Sequence, residues 1–268
     1  MHRRGVFDRK HVPAFGKSVH RLGLCANMGI DAAGFEHALD RGLDYVFRTH
    51  MRTGHIEPVL KKALARDRAR YVIATGPTIG YFGSTVRSAA ESVLRDLGTD
   101  YIDVFQLFWL GKAAAWTHGT VDALTKLKEE GKIRTIGISI HDRARAGEMA
   151  RSEAERLRMF MLRYNAAHPG AENDVFPHLP EGDTKQAVVA YTATSWRKLL
   201  KKPRKWTGDT MTAGDCYRFC LTNPYVDVVL TGVKNVAELD ANIAAIEKGP
   251  LTEDEQSWMR DYGKMVHG

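Results

Sequence analysis

Short runs of consecutive apolar residues alternate along this chain with longer segments whose apolar positions recur every three or four residues. The runs are HRLGL (20–24), DYVFRT (44–49), RYVIAT (70–75), IDVFQLFW (102–109), IRTIGIS (133–139), LRMFMLRY (157–164), AVVAYTA (187–193) and VDVVLTG (226–232). Near-continuous apolarity over so few residues predicts parallel strands buried on both faces. Between them, Val86, Ala90, Val93, Leu94 and Leu97 form one stripe at helical spacing, and Gly98 ends that helix. VDALTKLKEEGK repeats the design with Gly131 as its stop, and NVAELDANIAAIEKG opens with Asn235 and Glu238 spaced as a capping box. A further helix, opened by Thr252 and Glu255, closes the chain.

Eight strands, roughly 23–39 residues apart and each followed by a crossover, predict an α/β fold of the (β/α)₈ TIM-barrel type with an extra C-terminal helix. The expected organisation is one domain spanning 1–268, with an N-terminal extension (1–19), a barrel (20–249) and a terminal helix (250–268). A doubly wound open sheet is the competing architecture. Its phosphate loop would be GLCANMGID, which lacks the G-x-G-x-x-G spacing. A barrel directs attention to the residues closing each strand's carboxyl end: Arg48, Gly76, Phe108, Ser139, Tyr191 and Gly232.

The formal net charge of +7 favours anionic partners, nucleotide cofactors included. Much of the excess is local, because WRKLLKKPRKW (196–206) carries six basic residues and no acid. Stacking aromatics stand only at its two ends, so nucleic-acid binding is disfavoured and a small-molecule partner preferred. Cys25, Cys216 and Cys220 form neither a disulfide framework nor a metal knuckle, and no metal is expected. No signal peptide or membrane-spanning run is present, so a cytoplasmic protein is expected. Oligomeric state is not legible.

LGTDYIDVFQLFWL, GKIRTIGIS, VLTGVKNVAELDANIAAI and GFEHALDRGLDYVF together resemble the aldo/keto reductase superfamily, in the same order and spacing from about Arg21 to Met259. The resemblance implies a barrel that holds NADP(H) across its strand ends and passes hydride to an aldehyde or ketone. In that family a tyrosine donates the proton, assisted by a lysine paired with an aspartate, and a histidine orients the carbonyl. Here the family's F-D-T-A-x-x-Y-G reads from Phe47 to Gly54. Arg48 therefore stands at the aspartate position and Thr53 at the tyrosine position, while Gly76 takes the lysine's place and Phe108 the histidine's. All four identities are gone. Arg48 is expected to reach the volume Gly76 vacates; His50 on the same strand parity and His55 beyond the turn are the candidate substitute general acids, against the alternative that both are rim or loop histidines with no chemistry. If the pocket is otherwise intact, restoring the four family residues together is expected to restore some reductase activity.

The cofactor positions are better kept. The resemblance gives Ser139 a hydrogen bond to the nicotinamide carboxamide, although Ile140 replaces an asparagine and Met161 a glutamine. Tyr191 matches an aromatic that stacks on the nicotinamide ring. Gly232, Lys234, Asn235 and Asn242 match the turn and helix start that hold phosphate, which physically suits a helix N-terminus. Lys234 favours NADP over NAD, Glu238 opposes it, and the basic run 196–206 occupies a loop that covers the pyrophosphate in relatives. The expected function is an aldo/keto reductase-like, NADP(H)-linked oxidoreductase with a non-standard active site for a carbonyl or related small molecule. The alternative is a catalytically silent NADP(H)- or ligand-binding barrel acting as a sensor or partner protein.

Overall fold

The computed structural model describes residues 7–49, 51 and 53–267. A hairpin of β1 (Arg9–Val12) and β2 (Lys17–His20) precedes a closed barrel of eight parallel strands. The barrel strands are β3 (Leu22–Cys25), β4 (Tyr45–Phe47), β5 (Val72–Thr75), β6 (Ile102–Leu107), β7 (Ile133–Ile140), β8 (Leu157–Arg163), β9 (Ala187–Tyr191) and β10 (Val228–Thr231), and β10 pairs back onto β3. Every expected strand is present, and the first begins at Leu22 because His20 is paired with Arg9 in the hairpin. Around them run α1 (Ala32–Asp40), α2 (Glu57–Arg66), α3 (Gly83–Leu97), α4 (His118–Glu129), α5 (Arg143–Ser152), α6 (Ala171–Asp174), α7 (Ala213–Thr222) and α8 (Val236–Glu247). The terminal helix is α9 (Glu253–His267). No helix of the described residues is long and apolar enough to cross a membrane.

Strand parity sorts the apolar side chains into two cores. Leu22, Leu24, Val46, Ile73, Phe105 and Leu107 face the helices, with the stripe Val86, Ala90, Val93 and Leu97 of α3 among their partners. Tyr45, Phe47, Val72, Ala74, Val104, Met159, Met161, Val189, Val228 and Leu230 fill the barrel interior. Val12, Phe15 and Val19 of the hairpin join the interior from below, so residues 9–20 seal the barrel's base. The turn between them uses Gly16 at φ 61°, a conformation that costs other residues their Cβ clearance.

Three buried aspartates bolt this seal on. Asp44 pairs with Arg9, Asp227 with Lys10 at 2.5 Å, and Asp103 with Lys17 at 2.6 Å and Arg68 at 2.7 Å. Each carboxylate also accepts a backbone N–H: from His20 to Asp44, Val188 to Asp227 and Ile73 to Asp103. Burial pulls the Lys17 ammonium below its ordinary pKa, against the upward pull of Asp103. Severing one such buried pair from a single side typically costs about 3–5 kcal/mol.

Candidate functional site

The carboxyl ends of the barrel strands open opposite the hairpin, and their interior-facing residues make the floor of the mouth. That floor is apolar: Cys25, Phe47, Phe108, Met161 and Tyr191 lie at the top of the interior core. Phe47 and Phe108 meet edge to face, ring centroids 5.8 Å apart. The Cys25 thiol lies 3.0 Å from the Asn27 amide oxygen, and burial pushes its pKa up to about 12, so it supplies no thiolate at neutral pH.

Arg48 does not enter this floor. It follows Val46 in parity, toward the helices, and its guanidinium pairs with Glu57 in the first turn of α2 and lies 3.7 Å from Asp96 on α3. The side chain is 2% exposed, and its Nη1 has no partner. The expected extension toward Gly76 is therefore overturned, because two carboxylates in the helix layer attract the cation more strongly than an apolar floor. Thr53 belongs to the same cluster, its hydroxyl 3.1 Å from the Thr49 carbonyl and 3.3 Å from Glu57. It is buried and faces no mouth.

Gly76 is not a vacancy either. A Cβ built there would lie 1.9 Å from the Gln106 carbonyl oxygen and 3.3 Å from the Phe108 ring. The backbones of β5 and β6 have closed over the volume a lysine stem would need. The pocket is therefore not intact in the sense that restoring the four family residues requires. Gly76→Lys has no room for its side chain, and Arg48→Asp would set a third carboxylate against Glu57 and Asp96. Of the substitute acids, His50 lies outside the described residues. His55 is exposed, and its Nε2 lies 2.7 Å from the Ile30 carbonyl, which ties the turn before α2 to the start of α1.

The cofactor-side residues are spread along the other half of the mouth. Ser139 faces inward at the top of β7, and its oxygen accepts the Trp109 N–H at 2.9 Å. Its own proton remains to be donated. Tyr191 closes β9, half-buried, with its pKa pushed up to about 12 by desolvation despite the lowering effect of Arg163. Beyond it, Ser195, Trp196 and Arg197 all adopt positive φ (49°, 55° and 66°), an uncommon conformation for residues other than glycine. This turn buries Ser195 and leaves Trp196 71% exposed. The far end of the basic loop is anchored: Trp206 packs on Trp258 and Tyr262 of α9, and the Tyr262 hydroxyl donates to the Lys201 carbonyl at 2.9 Å.

At the top of β10, Gly232 and Lys234 are exposed, and the Met28 side chain lies where a Cβ on Gly232 would go, 2.6 Å away. The Asn235 side chain accepts the Glu238 N–H at 2.9 Å and caps α8. Glu238 reaches back to the Lys234 N–H at 3.0 Å, one residue earlier than a capping box requires. A carboxylate thus already occupies part of the helix start. Asn242 departs from expectation. It is buried, and it donates to the Thr231 hydroxyl at 3.3 Å, which in turn donates to Tyr217 at 2.9 Å. That network joins α8 to β10 and commits the Asn242 amide nitrogen to Thr231.

Two mouth residues escaped the sequence reading. His141, two positions after Ser139, lies with its ring nitrogens 3.2 and 3.4 Å from the Tyr191 hydroxyl. Arg163 continues the inward parity of Met159 and Met161 and stands opposite Tyr191 in the β8–β9 register. Desolvation, Arg163 and Lys112 together hold the His141 pKa below its ordinary value, so the imidazole is neutral at pH 7. Period-two counting from Met159 would have found Arg163; nothing short of the fold brings His141 to Tyr191.

A model of the aldo/keto reductase family matches residues 30–205. Among curated proteins, the chain is 28% identical to methylglyoxal reductase YeaE of Escherichia coli over 185 residues, 68% of this chain and 64% of that one. It is 23% identical to the oxidoreductase YqkF of Bacillus subtilis across 92% and 93% of the two chains. Among solved structures, the holo form of the aldo-keto reductase AKR11C1 from Bacillus halodurans superposes with a TM-score of 0.77 at 22% identity over 96% of both chains. An aldo/keto reductase from Klebsiella pneumoniae, in complex with NADP and acetate, also reaches 0.77, at 24% identity over 97% of this chain and 96% of its own.

Proposed function

The chain belongs to the aldo/keto reductase family, and from that premise we propose that it binds NADP(H) along the β7–β10 half of its mouth without running the family's proton relay. One observation carries the reading. Three of the four relay positions are structurally closed, with Arg48 and Thr53 locked to Glu57 and Gly76 roofed by the Gln106 carbonyl, and the fourth holds the apolar Phe108 ring, while Tyr191, Gly232 and Lys234 stay accessible on the other side of the mouth, with Ser139 buried at the top of β7.

The residues on that side suit the dinucleotide. Ser139 keeps a hydroxyl proton to donate to the carboxamide, and Tyr191 offers its ring face. Lys234 and the basic loop supply charge for phosphate, and Gly232 leaves only the flexible Met28 side chain to move aside. Bound NADPH would supply a hydride. The chain's own residues would then exclude water over Phe47, Phe108 and Met161 but offer no proton to a developing alkoxide. A positioned general acid typically contributes about 10²–10⁴ in rate, and that factor is missing.

A second reading, a rebuilt oxidoreductase site acting on a carbonyl or related small molecule, draws on the Tyr191–His141 contact. It is the weaker, because a phenol near pKa 12 and a neutral imidazole are both poor acids at pH 7. NADPH fluorescence titration followed by a carbonyl panel, methylglyoxal included, separates the two. Binding without turnover is the expected result. Turnover abolished by Tyr191→Phe and His141→Ala would install the second reading, and absence of NADPH binding would sink both.

A further inference from the structure

Arg163 is an inward-facing cation at the mouth that the fold does not use. Its strand neighbours on the same face, Met159 and Met161, are core residues, so the guanidinium is the first charged group above a largely apolar floor. It is half-buried, and among the described residues it has neither an ion pair nor a hydrogen bond, whereas Arg48, Arg68, Arg218 and Arg260 are all paired with carboxylates. The nearby ionisable groups compound the imbalance. Lys112 adds a second positive charge felt at His141, and the Asp142 carboxylate is turned away to cap α5 through the Arg145 N–H at 3.0 Å. His141 and Tyr191 stand beside Arg163 as neutral hydrogen-bonding groups.

We propose that Arg163, with Lys112, His141 and Tyr191, forms an anion subsite that takes the carboxylate of a small organic acid, whose apolar body lies over Phe108 and Met161. This assignment deepens the reading of the mouth as a ligand site and rests on it. A guanidinium matches a carboxylate through paired N–H donors, and charge-assisted bonds of this kind are about twice as strong as neutral ones. The floor beneath is largely apolar, with the Ser139 hydroxyl and the Gln106 amide beside Met161 as its polar groups, which favours a ligand with a single acidic end.

The test compares benzoate with benzamide, which share shape and differ in charge, by calorimetric titration of the full chain with and without saturating NADPH. Benzoate is expected to bind at least about tenfold more tightly than benzamide. Arg163→Met is expected to erase that preference, Arg163→Lys to keep part of it, and both to leave NADPH affinity within about twofold. Equal binding of the two probes, no binding of benzoate, or a preference that survives Arg163→Met would overturn the proposal. So would a collapse of NADPH affinity in Arg163→Met, since the anion would then be the cofactor's phosphate. Benzoate preference in a protein that binds no NADPH would leave this subsite standing and remove the dinucleotide reading alone.

Discussion

Gly76→Ala is the smallest change that tests whether the old lysine position has been closed. Gly76 does not have positive φ, and at such a position alanine ordinarily stabilises by about 0.4–1 kcal/mol through the unfolded chain. Here the added methyl would sit 1.9 Å from the Gln106 carbonyl oxygen, a backbone atom fixed in β6 and unable to rotate away. The sign should therefore reverse. Forcing the strands apart is an overpacking of the kind that costs about 1–3 kcal/mol, and a backbone obstacle places it at the upper end. For a chain of this size, about 3 kcal/mol lowers Tm by roughly 6–12 °C. Thermal unfolding followed by circular dichroism reads the effect directly. Gly119→Ala is the control, because its Cβ meets nothing within 4 Å on an exposed helix turn, and its Tm should hold or rise slightly. A Gly76→Ala protein melting within about 2 °C of the parent would refute the argument, since β5 and β6 would then part cheaply and a lysine there would be admissible.

Glu238→Gln should tighten NADPH binding about two- to fivefold, with little change for NADH, because it removes a negative charge from the start of α8 while keeping an acceptor for the Lys234 N–H. Paired fluorescence titrations of the two nucleotides check this, and equal tightening for both would mean that the carboxylate does not face the phosphate end. A pH effect follows from His20. It is buried, and desolvation lowers its pKa, so the unfolded chain binds the proton more readily, and stability falls as pH drops below the ordinary histidine value near 6.5. His20→Gln should flatten the decline in urea midpoint between about pH 6.5 and 5. An unchanged slope would assign that decline elsewhere.

The barrel was legible because its strands are buried on both faces and its helices carry single apolar stripes, so the two periodicities alternate without interference. The hairpin was not: RKHV and KSVH bury only Val12, Val19 and His20, and their charged residues make sense only beside Asp44, Asp103 and Asp227. The resemblance alone assigned Arg48, Thr53, Gly76 and Phe108 to the relay positions. How those residues pack was not legible. Arg48 sits where β4 has just ended, and its direction is decided by Glu57 and Asp96, carboxylates nine and forty-eight positions away in the chain. A glycine in sequence reads as space, but at position 76 it marks the closest approach of two strands. Asn242 carries a related ambiguity, since a polar residue on α8 serves Thr231 below it as readily as a nucleotide above.

The sealed base also bears on the order of events during folding. Residues 9–20 leave the ribosome ahead of the barrel strands, yet Lys10 cannot neutralise Asp227 until the strand that completes the ring has arrived. This segment thus completes its docking only when the ring closes. A nascent chain short of β10 would carry a loose cationic arm and an uncovered greasy well beneath it, the state in which this protein is most exposed to chaperones and proteases.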